Sequence, residues 1–256
     1  ACIDGGLIGT PNFILQLLIN PGGRIIATAW RHRLAMGGVL LDVAIHTAYE
    51  IEALVGQVET ITGQAQLVQA DRAGKEYDGT EVSVEADAED CFSAVLSLAN
   101  GCRGQWTGHF ASPGETMLKR LVIGTEGTLS CPSSRSGRPV EVRRGDDILT
   151  GEALLAELPE YALNPIESAL FGERPSSYQL ESVVTDRKLI AAEIHDFTEA
   201  VRTGRAPESD GPTGLRAVGL IYSVLESSLA RRTVTVSEIL DGSLHAYQDR
   251  VEAATV

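Results

Sequence analysis

Two side chains that can exchange protons, Asp42 and His46, lie four positions apart in the sequence. On a helix this spacing places both side chains on one face. A carboxylate beside an imidazole can give or take a proton near neutral pH, because the ordinary pKa of histidine lies close to that pH. The spacing therefore indicates an acid/base pair, and a weak ion pair on a solvated helix is the alternative interpretation.

The segment just before this pair is also typical of a binding site. Trp30 and Arg31 precede two adjacent glycines, Gly37 and Gly38, which let the backbone pass close to a ligand or a cofactor. Glu50 continues the stripe of the acid/base pair, so these three side chains have an alternative interpretation as metal ligands. A second ligand motif elsewhere in the chain is lacking, and we therefore predict no metal site.

The elements that position these residues are a helix and a run of strands. Apolar residues recur at three- and four-residue spacing over residues 37–55, which predicts a helix that ends at Gly56. The middle third predicts strands over residues 58–68, 82–88, 91–98, 103–110, 118–123, 128–131 and 140–143. Asn100-Gly101 and Thr125-Glu126-Gly127 predict tight turns, so we expect a meander of antiparallel strands.

Strands and helices are also predicted on both sides of this meander. They are a strand over residues 12–18, a turn at Pro21-Gly22-Gly23, helices over residues 186–202 and 213–230, and a closing strand over residues 233–236 before a helical turn capped by Ser237. We therefore predict an α+β fold with a single domain over residues 1–256. Its large, predominantly antiparallel, open-faced sheet carries helices on one face, and we expect another subunit on the open face.

The bulk composition excludes several classes of protein. The 256 residues are 43% hydrophobic, which suffices for a packed core, and their net charge of −14 gives no reason to expect a nucleic-acid partner. We see no apolar run long enough to cross a bilayer and no signal peptide, so we expect no membrane and a cytoplasmic location. The four cysteines form no C-x-x-C pair and are expected to be reduced thiols.

Residues 30–46 resemble the W-R…GG-x-x-x-D-x-x-x-H signature of the Gfo/Idh/MocA oxidoreductases, which lines their sugar or cyclitol site. Further segments are similar to motifs of that family in the same order: residues 7–11 (LIGTP), 98–101 (LANG), 123–127 (IGTEG) and 193–201 (EIHDFTEAV). The resemblance runs from residue 7 to about residue 240. Each motif is weak alone, but their order and intervals are specific.

The resemblance implies the substrate-binding half of an enzyme that passes a hydride between NAD or NADP and a secondary hydroxyl of a sugar or cyclitol. In such an enzyme Asp42 holds a substrate hydroxyl, and His46 is the acid/base partner at the carbon that is oxidised. The full set of implied site residues is Asp42 and His46 for catalysis, Trp30, Arg31 and His109 for substrate binding, and Gly37 and Gly38 for contact with the cofactor.

The nucleotide-binding half of the family is expected to be missing from this chain. That half carries G-x-G-x-x-G after a first strand and an E-K-P motif with a catalytic lysine, and neither occurs here. The chain alone is then not expected to bind the nicotinamide cofactor, which a missing segment or a separate chain with a Rossmann domain would supply. Two alternatives are a nicotinamide-independent lyase or epimerase acting on an oxidised sugar, and a non-catalytic module that forms homo-oligomers through the open sheet face.

Overall fold

The computed structural model describes residues 1–21, 28–75, 78–133 and 135–255. The strands in these ranges are β1 (Pro11–Pro21), β2 (Val58–Gln66), β3 (Asp71–Lys75), β4 (Glu81–Glu85), β5 (Cys91–Leu98), β6 (Arg103–Ser112), β7 (Met117–Gly124), β8 (Thr128–Cys131), β9 (Glu141–Arg144), β10 (Asp147–Thr150) and β11 (Val234–Thr235). The α-helices are α1 (Ile45–Val55), α2 (Gly151–Ala156), α3 (Pro165–Phe171), α4 (Ser182–Thr203), α5 (Gly211–Ala230), α6 (Val236–Leu240) and α7 (Ala246–Thr255).

Nine strands form one mixed sheet in the order β10-β9-β8-β7-β1-β6-β5-β2-β11, and β3 pairs with β4 in a separate two-stranded sheet. Strands joined by tight turns, such as β5 with β6 and β7 with β8, are antiparallel. In contrast, β1 and β6 are parallel, with Phe13 opposite Arg103. The predicted α+β fold with a large, mostly antiparallel sheet is confirmed. The meander predicted for the middle third is interrupted, because β3 and β4 form a sheet of their own and β6 pairs in parallel with β1.

The chain divides into two compact units. Unit 1 consists of Ala1–Asn12 and Arg120–Gly211, and unit 2 consists of Phe13–Lys119 and Pro212–Val256. Unit 2 contains every residue that the sequence analysis assigned to a site. The single domain predicted for residues 1–256 stays a prediction.

In unit 1, two of the segments that carried the family resemblance contact each other. The backbone N–H of Glu126 donates to the carbonyl of Ile8 at 3.0 Å, and the N–H of Thr125 donates to the carbonyl of Thr10 at 3.0 Å. A Cβ atom on Gly124 would lie 2.1 Å from the carbonyl oxygen of Ile8, so only glycine fits at that position. The predicted turn that follows is confirmed by the hairpin of β7 and β8.

The core of unit 2 lies on one side of its strands. Along β5 the buried residues alternate with Ser93 and Val95, which are exposed, so one face is covered and the other is open. The helix α5 covers the buried face at β2, where a Cβ atom on Gly63 would lie 3.0 Å from Cγ1 of Val224. Among the buried side chains of β5 and β6, the rings of Phe92 and Trp106 meet edge to face, with centroids 4.9 Å apart.

The helix predicted over residues 37–55 is present but is not uniform. Two short 3₁₀ turns, Ala29–His32 and Leu34–Met36, lead into a π-helical turn at Leu40–Ala44, and regular α-helix begins only at Ile45. At the far end, the N–H of Gly56 donates to the carbonyl of Glu52 and closes the helix as predicted. Asp42 therefore lies in a wider helical turn than the sequence pattern indicates.

Several elements differ from the sequence prediction. The elements that were not predicted are β3, β10, α2, α3 and α7. The helix α6 is capped by Thr235 rather than Ser237, in a capping box where the N–H of Glu238 donates to Oγ1 of Thr235 at 3.2 Å. In the turn predicted at Pro21-Gly22-Gly23, the two glycines lie outside the described residues.

One helical stretch, Leu34–Val55, is long and apolar enough to cross a membrane by length and composition, with a mean hydropathy of 1.3 in its most apolar window. The expectation that no segment meets this criterion was therefore wrong. Of that window 44% is buried inside the fold, and a core helix of a soluble protein meets the same criterion. The stretch is weak support for a membrane span.

Candidate functional site

Arg31 organises the polar residues that the sequence analysis grouped at the start of the first helix. Its Nε donates to Oδ2 of Asp42 at 2.5 Å, and its Nη1 donates to Oγ1 of Thr28 at 2.8 Å. The guanidinium also lies 4.5 Å from the ring centroid of Trp30. These residues, Trp30, Arg31 and Asp42, form one cluster, which we call the Arg31 cluster.

The Arg31 cluster is accessible from solvent. The side chains of Arg31 and Asp42 are 20% and 27% exposed, and Trp30 is 44% exposed. A charged hydrogen bond in such a half-buried position is stronger than a surface ion pair, because less water competes for it. The carboxylate of Asp42 is therefore held in one orientation.

Asp42 and His46 lie close in sequence but are not joined by a hydrogen bond among the described residues. His46 is exposed in the first turn of α1, one helical turn beyond Asp42. The ion pair considered for Asp42 is therefore made with Arg31 rather than with His46. The two groups remain separate functional elements: an oriented carboxylate, and an imidazole open to solvent.

Two buried residues, Thr47 and Trp106, anchor the start of α1 to β6. The indole N–H of Trp106 donates to Oγ1 of Thr47 at 2.9 Å, and the Thr47 hydroxyl donates to the carbonyl of Ala44 at 2.8 Å. Trp106 and Thr47 are 1% and 5% exposed. His46, which directly precedes Thr47, is thus carried by a backbone that is anchored to β6.

Gly37 and Gly38 form a tight backbone passage that only glycine fits. Both have left-handed backbone angles, with φ of +91° and +72°. A Cβ atom on Gly37 would lie 2.8 Å from Cδ2 of Leu41, and one on Gly38 would lie 2.7 Å from Cβ of Ala88. The chain's own side chains therefore explain these glycines, and contact with a cofactor stays a prediction.

His109 and His32 differ from the Arg31 cluster in their surroundings. His109 lies half-buried on β6, where its Nδ1 accepts from the N–H of Ala111 at 3.2 Å, and no described hydrogen bond joins it to the cluster. His32 is 2% exposed in a 3₁₀ turn. Burial, and secondly the positive charge of Arg72, lower the pKa of His32 to about 4. Its imidazole is therefore neutral near pH 7.

Asp42, His46 and Glu50 do not form a metal site in the structure. Among the described residues, no three His, Cys, Asp or Glu side chains come together in a group that could hold a metal ion. Among the described residues, none of the four cysteines forms a disulfide bond.

Sequence reasoning missed the contribution of Asp87, whose Oδ1 accepts from the N–H of Leu34 at 2.6 Å. It also missed that the N–H of Asp87 donates to the carbonyl of His32 at 3.1 Å. These contacts join residues more than fifty positions apart, and no local pattern marks them. The sequence analysis had placed Asp87 in a strand over residues 82–88, whereas β4 ends at Glu85 and Asp87 lies in the loop that follows.

Three solved structures are similar to this chain in fold. An NAD-binding oxidoreductase from Klebsiella pneumoniae matches 92% of this chain and 61% of its own length, with 20% identity and a TM-score of 0.67. A levoglucosan dehydrogenase in complex with NADH and L-sorbose matches 93% and 62%, with 21% identity and a TM-score of 0.68. An oxidoreductase from Agrobacterium radiobacter, in complex with NAD⁺, L-tartaric acid and magnesium, matches 93% and 60%, with 17% identity and a TM-score of 0.65.

The chain thus spans less than two thirds of the length of these three structures. No curated protein matches the sequence. The family model described as the GFO/IDH/MocA C-terminal domain matches residues 1–130, which include the Arg31 cluster, both glycines and His46. This match covers half of the chain, and the chain therefore belongs to the Gfo/Idh/MocA oxidoreductase family.

Proposed function

We propose that this chain is the substrate-binding half of an NAD- or NADP-dependent oxidoreductase that acts on a secondary hydroxyl of a sugar or cyclitol. The observation that carries the proposal is the 2.5 Å hydrogen bond from Arg31 to Asp42, next to the exposed imidazole of His46. It supports the proposal, because an oriented carboxylate, which could accept a substrate hydroxyl, then lies one helical turn from a group that can move a proton.

Asp42 would bind the substrate through its second carboxylate oxygen. Arg31 engages Oδ2, and no described residue donates to Oδ1, which leaves that oxygen for a hydroxyl of the substrate. Trp30, exposed beside the guanidinium, offers an apolar face for the C–H groups of a sugar ring. Arg31 and Trp30 would in this way orient the ring relative to Asp42.

His46 would manage the proton of the carbinol that is oxidised. A neutral imidazole can accept this proton while the hydride leaves from the same carbon, and it can return a proton in the reverse direction. Its solvent exposure allows the proton to pass on to water. His109 is proposed as a further substrate contact, through the ring edge that is not engaged by the N–H of Ala111.

The described residues do not fit a whole dinucleotide. Gly5, Gly6 and Gly9 lie in turns that run directly into β1, whereas a pyrophosphate site of the Rossmann type requires a helix after its glycine turn. NAD or NADP, which would accept the hydride from the substrate carbon, would be held by residues other than these. We propose that a further segment or a separate Rossmann-domain chain holds the cofactor, and that Gly37 and Gly38 lie on the side facing it.

Two neighbours support the class of substrate. The structures of similar fold were solved with L-sorbose and with L-tartaric acid, which both carry secondary hydroxyl groups. We propose a polyhydroxylated substrate of this type, without naming one. We further propose that this chain forms a homo-oligomer through the open sheet face, where Val95 is 59% exposed, and that it is located in the cytoplasm.

The test is a titration of the purified chain with L-sorbose, monitored by isothermal calorimetry. We expect Asp42→Asn to weaken binding at least about tenfold, because a charge-assisted hydrogen bond to the hydroxyl is lost. His46→Ala is expected to leave binding within about threefold and to abolish hydride transfer once the nucleotide-binding partner is present. His195→Ala, a change of another exposed histidine on α4, is the control.

Native mass spectrometry of the same sample identifies the assembly. A stoichiometric partner of Rossmann size would support a split dehydrogenase, and a homo-oligomer alone would support the open sheet face as an interface. Equal affinity of the wild type and Asp42→Asn for the polyol would contradict the proposal and favour the lyase or the non-catalytic module.

A further inference from the structure

A five-residue loop between β4 and β5, residues 86–90, contacts the segment that leads to the Arg31 cluster. Asp87 donates its N–H to the carbonyl of His32 at 3.1 Å and accepts the N–H of Leu34 at 2.6 Å. Its second carboxylate oxygen pairs with Arg33 at 3.1 Å. Asp87 therefore joins the two 3₁₀ turns between which the chain bends toward Gly37.

The next residue of the loop sets the path of the glycine pair. Ala88 is 3% exposed and packs closely on Gly38. A Cβ atom on Gly38 would lie 2.7 Å from Cβ of Ala88. Gly38 lies four residues before Asp42, at the entrance to the π-helical turn. A displacement of Ala88 would therefore move the backbone that presents Asp42 to Arg31.

One end of the 86–90 loop is anchored in the core. The carboxylate of Asp90 accepts the N–H groups of Val68 and Gln69 at 2.7 and 3.0 Å, and it forms an ion pair with Arg72 at 2.7 Å. The side chains of Arg72 and Asp90 are 0% and 1% exposed. A buried pair of this kind is costly to break, because either charge would remain without its partner.

The other contact of the loop leads to the C-terminal helix α7. The hydroxyl of Tyr247 donates to Oε2 of Glu89, and Nη1 of Arg250 lies 3.3 Å from Oε1. Tyr247 is 4% exposed, and burial, with the neighbouring Glu89, raises the pKa of its phenol far above the ordinary value, so that it keeps its proton. Glu89 is thus the one residue of the 86–90 loop that the structure describes in contact with α7 through hydrogen bonds.

The helix α7 is itself held against the same segment. The N–H of Tyr247 donates to Oε1 of the buried Glu226 on α5 at 2.7 Å, which fixes the first turn of α7. The helix α7 also contacts Leu34–Met36, the 3₁₀ turn just before the glycine pair. It lies beyond residue 240, where the motifs of the family resemblance end.

We propose that α7 is a positioning element of the substrate site, and that Tyr247 and Glu89 are its positioning residues. The contacts that would transmit the position of α7 run from Tyr247 through Glu89 to the neighbouring Ala88 and Asp87. From these two residues they reach the backbone that carries the Arg31 cluster and His46. No residue of α7 touches substrate in this arrangement. The inference rests on the proposed function only in that the positioned groups bind a polyol.

The experiment uses the full chain with ¹³C-labelled histidine rings and follows the ring resonances by NMR. Tyr247→Phe removes only the hydroxyl that reaches Glu89, and Glu89→Gln keeps the shape of its partner. Tyr222→Phe is the matched control, because its ring meets Tyr247 edge to face at 6.0 Å and no described hydrogen bond joins its hydroxyl to the loop. We expect Tyr247→Phe and Glu89→Gln, but not the control, to shift the ring resonances of His46 and His32. The resonances of His195 should stay unchanged in all three variants.

Binding of L-sorbose is the second readout. The affinity is expected to fall about tenfold in Tyr247→Phe and Glu89→Gln, the size typical of one lost charge-assisted hydrogen bond, and to stay unchanged in Tyr222→Phe. Thermal unfolding separates a loss of positioning from a loss of stability. A loss of stability lowers the melting temperature without moving the resonances of the folded state. If Tyr247→Phe does not fold, Arg250→Gln, at the exposed partner of Glu89, is expected to shift the same resonances by less.

The outcomes keep this inference separate from the proposed function. Unchanged His46 resonances in both Tyr247→Phe and Glu89→Gln would overturn the positioning role, whatever the chain binds. If the wild-type chain binds no L-sorbose but Tyr247→Phe and Glu89→Gln show the resonance shifts, the support for the substrate class is removed and the positioning role is retained.

Discussion

The helices α4 and α5 have similar lengths and similar apolar periodicity but very different surroundings. Nine of the 20 residues of α5 are buried: Ala217, Gly219, Leu220, Ile221, Ser223, Val224, Leu225, Glu226 and Ser227. Of the 22 residues of α4 only Thr185 and Ala200 are buried. Five large apolar residues of α4 are instead 52–69% exposed, and we call them the α4 stripe: Val183, Ile190, Ile194, Phe197 and Val201.

The difference teaches that a helical period shows which face is apolar and not what covers it. In α5 the apolar face packs on β2, where Gly63 removes the side chain that would hold the two backbones apart. In α4 the stripe has the three- and four-residue spacing of a packed helix, and in the described residues it faces outward. Stability should therefore depend on the apolar residues of α5 and be nearly independent of the α4 stripe.

The largest expected effect compares one residue from each helix. Leu220→Ala, at a position that is 1% exposed on α5, should lower the free energy of unfolding by about 3 kcal/mol, because it leaves a cavity. Phe197→Ala, at a position that is 62% exposed on α4, should change it by less than about 0.5 kcal/mol. Urea unfolding followed by circular dichroism measures both. Similar losses would mean that α4 is covered in solution.

An intermediate effect compares a buried histidine of unit 2 with an exposed histidine of α4. The pKa of His32 is about 4 in the folded state, below its unfolded value, so the folded state binds fewer protons. Its contribution is fully present above about pH 6.5 and is lost as the pH falls toward 4, at a cost of about 2 kcal/mol by pH 5. Unfolding free energies at pH 7.5 and pH 5 should show this loss in the wild type and in His195→Gln, and a smaller loss in His32→Gln. Identical pH dependence in all three proteins would contradict the assignment.

The smallest effect compares two arginines. On α5, Arg216 donates to both oxygens of Glu52, at 3.0 and 2.6 Å, and to the carbonyl of Val58 at 3.1 Å. Arg216→Met should cost about 1–2 kcal/mol, because Glu52 loses a half-buried partner. On α4, Arg202 pairs with Glu199 while 68% exposed, and Arg202→Met should lower the stability less than Arg216→Met does. A thermal denaturation series ranks the two, and a reversed order would break the comparison.

The parts of the fold that could be predicted are those with local signals. The strands β5 and β8 were predicted with their observed bounds, and Asn100-Gly101 correctly marked the hairpin of β5 and β6. In contrast, β3 has the sequence DRAGK, which lacks alternating apolar residues, and it forms only because β4 lies beside it. The parallel pairing of β1 with β6 depends on residues about ninety positions apart, so no local pattern contains it.

The candidate site shows the same division. The spacing of Asp42 and His46 and the glycine pair were visible in the sequence, and the family resemblance gave them expected roles. The bond from Arg31 to Asp42 joins residues eleven positions apart across two turns and the glycine bend, which no regular helix would bring together. The supporting contacts of Asp87, Ala88 and Glu89 come from a loop far along the chain, and their chemistry gave no signal of its own.

The π-helical turn at Leu40–Ala44 makes the count of residues in this motif part of its geometry. Such a turn takes up one residue more than an α-helical turn of the same height. Deletion of a single residue there would let the segment wind as regular α-helix with the flanking segments nearly aligned as before, but the residues inside the turn, Asp42 among them, would point in other directions. The carboxylate would then leave its arginine although every side chain of the motif was still present. In a sequence alignment, a gap of one position in this stretch would therefore affect the site as much as the loss of Asp42 itself.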